Sequence, residues 1–437
     1  MTGSARQGLA RRNSDFAKFW FGETVSLVGS NITVIAFPLV AVLTLQAAPQ
    51  QLGLLRFLEF LPYLLLTLLL GVWVDGRRLR PVMMGVNAAR SALIGVVPLL
   101  AVLGVLTMEI LYAVGFAMGA LAVLFDLCWM SYIPGLVARD DIVEANSKVA
   151  ASYSAAEVAG PGAAGGLVQL LTAPIALAVD AASYVVSLIS LMLIRAAEPP
   201  PGRPHGGRAR PVRDLREGMR AVFGNRYLRP LAVQAATYNF FYQILQVVLI
   251  LYIVRELGLG SGLLGLVLSV GAAGGVVGAV LARPLTGRVP FGLLMAGAMA
   301  ASCVPALLVP AATGPTAALA ATLIIALFVM QSGVAVVNVT SMSLRQTVTP
   351  RQLLARMNSC MLMTLYGTMP LGGLAGGVLA ALLGPRSSLW VAGAGVLVSQ
   401  IPILVSPIPR LRELPLPPAG PRDPVATGAD LSSQPGR

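Results

Sequence analysis

Gly71-Val-Trp-Val-Asp75-Gly-Arg77-Arg78-Leu-Arg80-Pro81 separates two long hydrocarbon runs. Leu52 to Leu70 before it is nearly all apolar, and Pro81 to Gly104 after it is apolar again. As helices, runs of this length cross the ~30 Å hydrocarbon layer of a bilayer. The short basic turn between them therefore reads as a loop at one membrane face. A glycine-led acidic turn between two stiff segments is also a natural hinge.

Composition places the whole chain in the same class. Of 437 residues, 56% are hydrophobic and 11% are charged, and mean hydropathy is +0.79. A soluble domain carries about 25% charged residues. Apolar stretches of spanning length recur throughout, and the alternation of a barrel strand does not occur. The expected fold is an all-α polytopic membrane protein. The net charge of +13 sits between the apolar runs. There, cations set orientation and meet anionic lipid headgroups, so lipids and not nucleic acid are the expected contact.

Residue types close off several chemistries. Lysine occurs only at Lys18 and Lys148, neither after a glycine, which excludes a P-loop. Cys128, Cys303 and Cys360 are far apart and form no metal or disulfide pattern. The one histidine, His205, lies in a Pro/Gly/Arg segment, which excludes a His-based metal site or triad in the membrane. No catalytic residue, metal or cofactor is expected, and the chain is not read as an enzyme. Residues 1–16 are polar and basic, and no cleavable signal peptide is visible.

Spans are read at 17–45, 51–74, 81–104, 109–133, 147–172 and 174–195, then at 228–255, 261–283, 289–311, 315–341, 357–383 and 387–408. This gives about 12 transmembrane helices in two six-helix bundles, residues 17–195 and 228–410, after an N-terminal tail of 1–16. Cations concentrate in alternate connections: Arg77/Arg78/Arg80, Arg139/Lys148, Arg203 to Arg229, Arg283/Arg288 and Arg345/Arg351/Arg356. Arg255 and Arg386 are the exceptions. The positive-inside rule then puts both termini and the 196–227 linker in the cytoplasm. The linker ends in an expected amphipathic helix, Val212 to Phe223, with Leu215, Met219, Val222 and Phe223 on one face, lying on the inner leaflet. Residues 411–437 read as a disordered cytoplasmic tail.

The halves echo one another. Ser131, Arg139, Asn146 and Ser147 recur at one offset as Ser343, Arg351, Asn358 and Ser359. Each Asn-Ser pair is read as the N-cap that opens the next span. A Gly/Pro-rich stretch follows each: Gly160-Pro161-Gly162 with Gly165-Gly166, and Gly367 with Pro370 and Gly372-Gly373. Gly160 and Pro161 are read as a helix bend. A duplicated six-span unit is a transporter signature, because two similar bundles can rock about a shared site.

Gly71-x-x-x-Asp75 with Arg80 after it resembles the loop motif of the major facilitator superfamily. Phe125-Asp126, Ser131-Tyr-Ile-Pro134, Glu144-Ala-Asn146-Ser147, Gly160-Pro161…Gly165 and Ala173-Pro174…Asp180-Ala-x-Ser183-Tyr184 resemble its enterobactin exporter-like and macrolide-efflux-like branch. The likeness covers nearly the whole first half and is weaker in the second. It implies a bacterial cell-membrane transporter, with gating roles for Gly71, Asp75, Arg80 and Arg90. It departs from the loop motif at Arg78, which stands where a glycine is usual, and at Leu79. Gly115 to Phe125 also lacks the fourth-span arginine of many drug antiporters.

Ionisable groups at membrane depth are costly and mark function. Here they fall in the first half: Glu23, Arg56, Glu59, Arg90, Asp126, Glu157 and Asp180. A desolvated carboxylate can exchange protons near neutral pH, so Glu157, Glu23, Asp126 and Asp180 are the proton-coupling candidates. Glu157 leads, about eleven residues into the fifth span and ~16 Å deep; a structural hydrogen-bonded carboxylate is the other reading. Glu23, one turn past a Phe19-Trp20 interface pair, reads mainly as wetted at the cytoplasmic mouth. Asp126 and Arg90 are expected to pair, as are Arg56 and Glu59. Asp180 reads as a helix-positioning group first.

The resemblance implies that the first, seventh and tenth spans line a cavity. Asn31, Tyr238, Asn239, Tyr242, Gln243, Gln246, Gln331 and Asn338 are the cargo candidates on them, with Tyr153 and Phe240 nearby. Scattered amides in an apolar cavity suit a bulky amphipathic small molecule. The glycines of the eighth span, from Gly262 to Gly278, read as close packing with room to slide. The expected function is secondary export of bulky hydrophobic or amphipathic drug-like compounds by a monomer, coupled to protons in antiport. A dedicated siderophore or secondary-metabolite exporter and a lipid scramblase are the alternatives.

Overall fold

The computed structural model describes residues 9–74, 76–196, 198, 211–350 and 353–415. Asp75, Arg351, the 199–210 part of the linker and residues 416–437 of the tail lie outside the described residues.

Twelve long helices form the body. The first set is Ser14–Leu39, Pro49–Val74, Leu79–Val102, Met108–Leu136, Ile142–Leu170 and Ala173–Met192. The second set is Leu228–Leu251, Ser261–Thr286, Phe291–Cys303, Thr316–Val348, Leu354–Leu383 and Pro385–Val398. Short continuations extend the first, seventh, ninth and twelfth at their ends, two of them π-helical: Val40–Thr44 and Tyr252–Glu256. Ten of the twelve are long and apolar enough to cross a membrane. The second and fifth complete the two sets of six.

The packing repeats with the sequence. In the first bundle, helix one packs on five and six, and helix four on two and three. In the second bundle, seven packs on eleven and twelve, and ten on eight and nine, the same pairs displaced by six. The major contacts between bundles, two with eleven and five with eight, are also one pair under that exchange. A two-fold relation between halves thus governs both the cores and the seam.

Several boundaries differ from the sequence reading. The fifth and eleventh helices begin at Ile142 and Leu354, so Asn146-Ser147 and Asn358-Ser359 lie inside helices and cap nothing. Ser147 Oγ instead donates 2.8 Å back to Val143 O, which satisfies a hydroxyl within its own helix. Phe19 and Trp20 do not form an interface pair. Phe19 is buried against Tyr132, with ring centroids 5.5 Å apart, and Trp20 Nε1 donates 2.9 Å to Ser152 Oγ.

The linker helix, Pro211–Gly224, packs on the seventh and eleventh helices as well as presenting a surface. Val222 is fully buried beside Leu228, Met357 and Cys360, and Glu217 pairs with Arg356. A Cβ on Gly218 would lie 2.6 Å from Arg356 O, so only glycine permits this approach. Met219 and Phe223 remain exposed. The start of the tail is also engaged: Gly292 N donates 2.7 Å to Leu411 O and Phe291 N donates 3.0 Å to Arg412 O. Backbone donors at the start of the ninth helix thereby find acceptors that its own turn cannot supply.

The two arginines that broke the charge alternation have local explanations. Arg255 donates 2.7 Å to Ala47 O, reaching from the second bundle to the first. Arg386 donates 2.8 Å to Pro310 O between the ninth and twelfth helices. Each is held by a carbonyl at a helix end, which a cation complements.

Candidate functional site

The seam between bundles is a wedge. The glycine Cβ positions measure it along helices two and eleven. A Cβ on Gly53 would meet Gly377 Cα at 2.7 Å, one on Gly373 would meet Arg56 Cβ at 3.0 Å, and one on Gly367 would meet Leu64 Cδ1 at 3.6 Å. Near the linker end, a Cβ on Gly71 would meet nothing within 4 Å. Helices five and eight close at the same far end. A Cβ on Gly165 would lie 2.4 Å from Ser261 O, and one on Gly265 would lie 2.5 Å from Pro161 O. Gly162 N also donates 2.6 Å to Ser269 Oγ across this crossing. Both crossings need backbones in contact, which glycine allows. The end away from the linker is shut, and the helices diverge towards the linker.

The eighth-helix glycines divide their work. Gly271, Gly274 and Gly278 face the tenth helix of their own bundle, near Leu327, Phe328 and Ser332, whereas Gly262 and Gly265 face the fifth helix of the other. Gly160 admits Asn31, whose Cβ would be 2.3 Å from a Cβ there, so the approach of helices one and five explains this glycine. The fifth helix runs unbroken through Pro161.

One face of the sixth helix holds the first bundle together. Asp180 is fully buried and accepts from Thr33 Oγ1 and, at 3.0 Å, from Ser183 Oγ. Tyr184 and Ser30 share a hydrogen bond of 2.9 Å, and Asn87 donates 2.9 Å to Ser187 Oγ. These positions recur at helical spacing and meet the first and third helices. Arg80 ties the loop motif to the same helix. Its Nε donates 2.8 Å to Leu191 O, one of its Nη atoms donates 3.0 Å to Met192 O, and Glu198 accepts from the Leu79 and Arg80 amides.

Where the wedge opens, the acids of the first bundle meet aromatic rings of both. Tyr63 Oη donates 3.2 Å to Asp126 Oδ2. The Tyr63 ring stacks on Tyr366 of the eleventh helix, with centroids 5.2 Å apart. Trp129 meets Tyr153 edge-on at 5.9 Å. Glu23 is within electrostatic reach of Arg90, Asp126 and Tyr153. Contrary to expectation, Glu23 is not wetted: it is 5% exposed and its Oε2 has no hydrogen-bond partner. Arg90 and Asp126 do not pair within 4 Å. The Arg90 guanidinium lies over Phe125 at 4.9 Å and Tyr184 at 5.5 Å, an arrangement favoured by ring quadrupoles. Arg56 and Glu59 do pair, at 3.0 Å.

Glu157 lies near the middle of the fifth helix, is exposed, and acts electrostatically on Tyr242 of the opposite bundle. Tyr242 Oη donates 3.4 Å to Gln331 Oε1 and its ring stacks on Tyr238 at 5.7 Å. The other cargo candidates scatter. Tyr238 and Gln243 are buried within the second bundle, the former beside Cys303 and Val396, the latter beside Gly372. Asn31 and Asn239 donate to carbonyls of their own helices, Leu27 O at 2.9 Å and Ala235 O at 2.8 Å. Gln246 is half-buried and Asn338 exposed. Tyr63, Trp129 and Tyr366 escaped the sequence reading, because an aromatic residue in an apolar run carries no mark of its partner.

The family described as transmembrane secretion effector matches residues 9–433. No curated protein matches this chain in sequence. Among solved structures, the chain is similar to the nucleoside transporter NupG, with TM-score 0.73 and 14% identity, covering 89% of this chain and 99% of that one. It is also similar to a bacterial homologue of the iron transporter ferroportin in its inward-facing state, with TM-score 0.69 and 19% identity over 91% of this chain and 99% of that one. The outward-facing state of a bacterial ferroportin homologue gives TM-score 0.55 at 17% identity, over 89% of this chain and 98% of that one.

Proposed function

Because this chain belongs to the transmembrane secretion effector family of major facilitator superfamily transporters, we propose that it exports bulky amphipathic small molecules by alternating access. The supporting observation is the wedge. Gly53 with Gly377 and Gly165 with Gly265 close one end, while Glu23, Asp126, Glu157 and Tyr242 lie where the bundles separate. With the arginine-rich connections in the cytoplasm, the open end faces the cell interior and the closed end faces out. That is the state in which an exporter loads. The membrane would be the bacterial cytoplasmic membrane, with both termini inside.

Protons are the proposed driving ion, and Glu157 is the proposed carrier. It faces the opposite bundle and no neighbouring cation neutralises it, so its protonation can follow the state of the seam. Asp180 is buried among hydroxyl donors of its own bundle and is proposed as a positioning group. The enterobactin- and macrolide-exporter likeness of the first half favours organic cargo. Nucleosides and metals, named for the structural neighbours, find no matching donor set in the amide-poor, histidine-free seam.

Inverted membrane vesicles test this reading. A panel of fluorescent amphipathic dyes, cationic and uncharged, should accumulate inside when an acid-inside pH gradient is imposed. Glu157→Gln should abolish the gradient-driven part. Equal dye movement with and without the gradient, in both forms, would defeat proton-coupled export.

A further inference from the structure

Two carboxylates, Glu23 and Asp126, share one guanidinium, that of Arg90, at the apex of the wedge. Arg90 is turned towards the Phe125 and Tyr184 rings and makes no ion pair with either acid. Asp126 takes one hydrogen bond, from Tyr63. Glu23 Oε2 takes none, although the residue is only 5% exposed. A buried carboxylate oxygen without a donor is costly, and its position calls for a cation.

The surroundings are aromatic. Tyr63 and Tyr366 stack at 5.2 Å and Trp129 meets Tyr153 at 5.9 Å; Tyr153 is 41% exposed and offers a ring to the seam. Ring faces attract organic cations, by about 2 kcal/mol or more once water is excluded. The second bundle, residues 228–410, contains a single acid, Glu256, at a helix end. All negative charge at the seam therefore lies on one wall, beside these rings.

We propose that this pocket, formed by Glu23, Asp126, Tyr63, Trp129, Tyr153 and Tyr366, binds the positively charged nitrogen or phosphorus centre of a lipophilic cation. The exported compounds would then be amphipathic cations. This rests on the export reading above and adds the charge of the cargo. Tyr366 gives the site a reporter of closure, because a cation bound there touches both bundles at once.

Equilibrium binding of tetraphenylphosphonium to the purified full-length chain tests it, with tetraphenylborate as the anion of the same shape. The cation should bind saturably and at least ten-fold tighter than the anion. Glu23→Gln and Asp126→Asn should each weaken it ten-fold or more, and Tyr366→Leu several-fold. Equal or tighter binding of tetraphenylborate would overturn the proposal, as would both acid variants binding like the parent chain. The comparison of signs uses the unaltered protein and needs no variant to fold. No gradient enters this measurement, so its failure leaves the vesicle test of export standing. Loss of all vesicle transport with cation binding intact would remove the export reading alone.

Discussion

The Cβ that Gly53 lacks would lie 2.7 Å from the Cα of Gly377, and the Cβ that Gly377 lacks would lie 2.6 Å from Pro49 O. Two helices from opposite halves of the chain touch here through bare backbone. Any side chain at either position must force them apart. Gly377→Leu should therefore open this end, at an overpacking cost of about 1–3 kcal/mol, equivalent to roughly a 5–150-fold shift in population. Labelling of Ser269→Cys, placed in the neighbouring crossing, by a membrane-impermeant thiol reagent reads the change. The native Cys128, Cys303 and Cys360 are buried and give a low background. An unchanged labelling rate would mean that this contact does not hold the end shut.

Arg255 closes the same end by a different force. Its hydrogen bond to Ala47 O joins the bundles, but the side chain is exposed, so water competes for it. Arg255→Ala should cost about 0.5–1.5 kcal/mol and raise labelling of the same thiol about two- to ten-fold. Arg386→Ala, which breaks a bond inside one bundle, should leave that rate alone.

Asp180 should matter to folding more than to coupling. Asp180→Ala leaves the Thr33 and Ser183 hydroxyls without their buried acceptor, a loss of about 1–3 kcal/mol for each donor stranded. Asp180→Asn keeps one acceptor oxygen and should lose less. Thermal melting in detergent should rank parent, Asn and Ala in that order, with transport per folded molecule preserved in Asp180→Asn. A fully folded Asp180→Asn protein that has lost gradient-driven transport would reassign Asp180 to the proton path.

The linker helix should depend on Gly218 more than on its ion pair. Gly218→Leu drives a side chain into Arg356 O and should lift the helix from the second bundle. Limited trypsin digestion should then cut faster at Arg216 and Arg220. Exposed pairs contribute only about 0–1 kcal/mol, so Glu217→Gln should change the cutting rate much less. The reverse order would make the Glu217–Arg356 contact the anchor.

Much of the fold was written in one dimension because lipid imposes a one-dimensional rule. Hydrocarbon thickness fixes the length of an apolar run, and cations at alternate connections fix its direction. The runs around Gly71–Pro81 and the echo of Ser131 in Ser343 thus determined the twelve helices and their pairing into halves. Ser131 and Ser343 even make the same bond, each donating to the carbonyl four residues earlier. Helix starts were less legible. The polar turn Ile142–Asn146 is helical because it packs below the bilayer, where hydropathy is silent.

The seam belonged to the tertiary structure. Nothing near Gly53 in sequence points to Gly377, and nothing near Tyr63 points to Tyr366. Arg90 and Asp126 read as a pair because both are charged at one depth; the rings of Phe125 and Tyr184, brought there by packing, gave Arg90 another partner. Arg255 broke the charge alternation until Ala47 O was found beside it. Apolarity and charge are properties of single residues and survive in a string of letters, whereas a close approach or a stranded carboxylate oxygen exists only between segments that folding has joined.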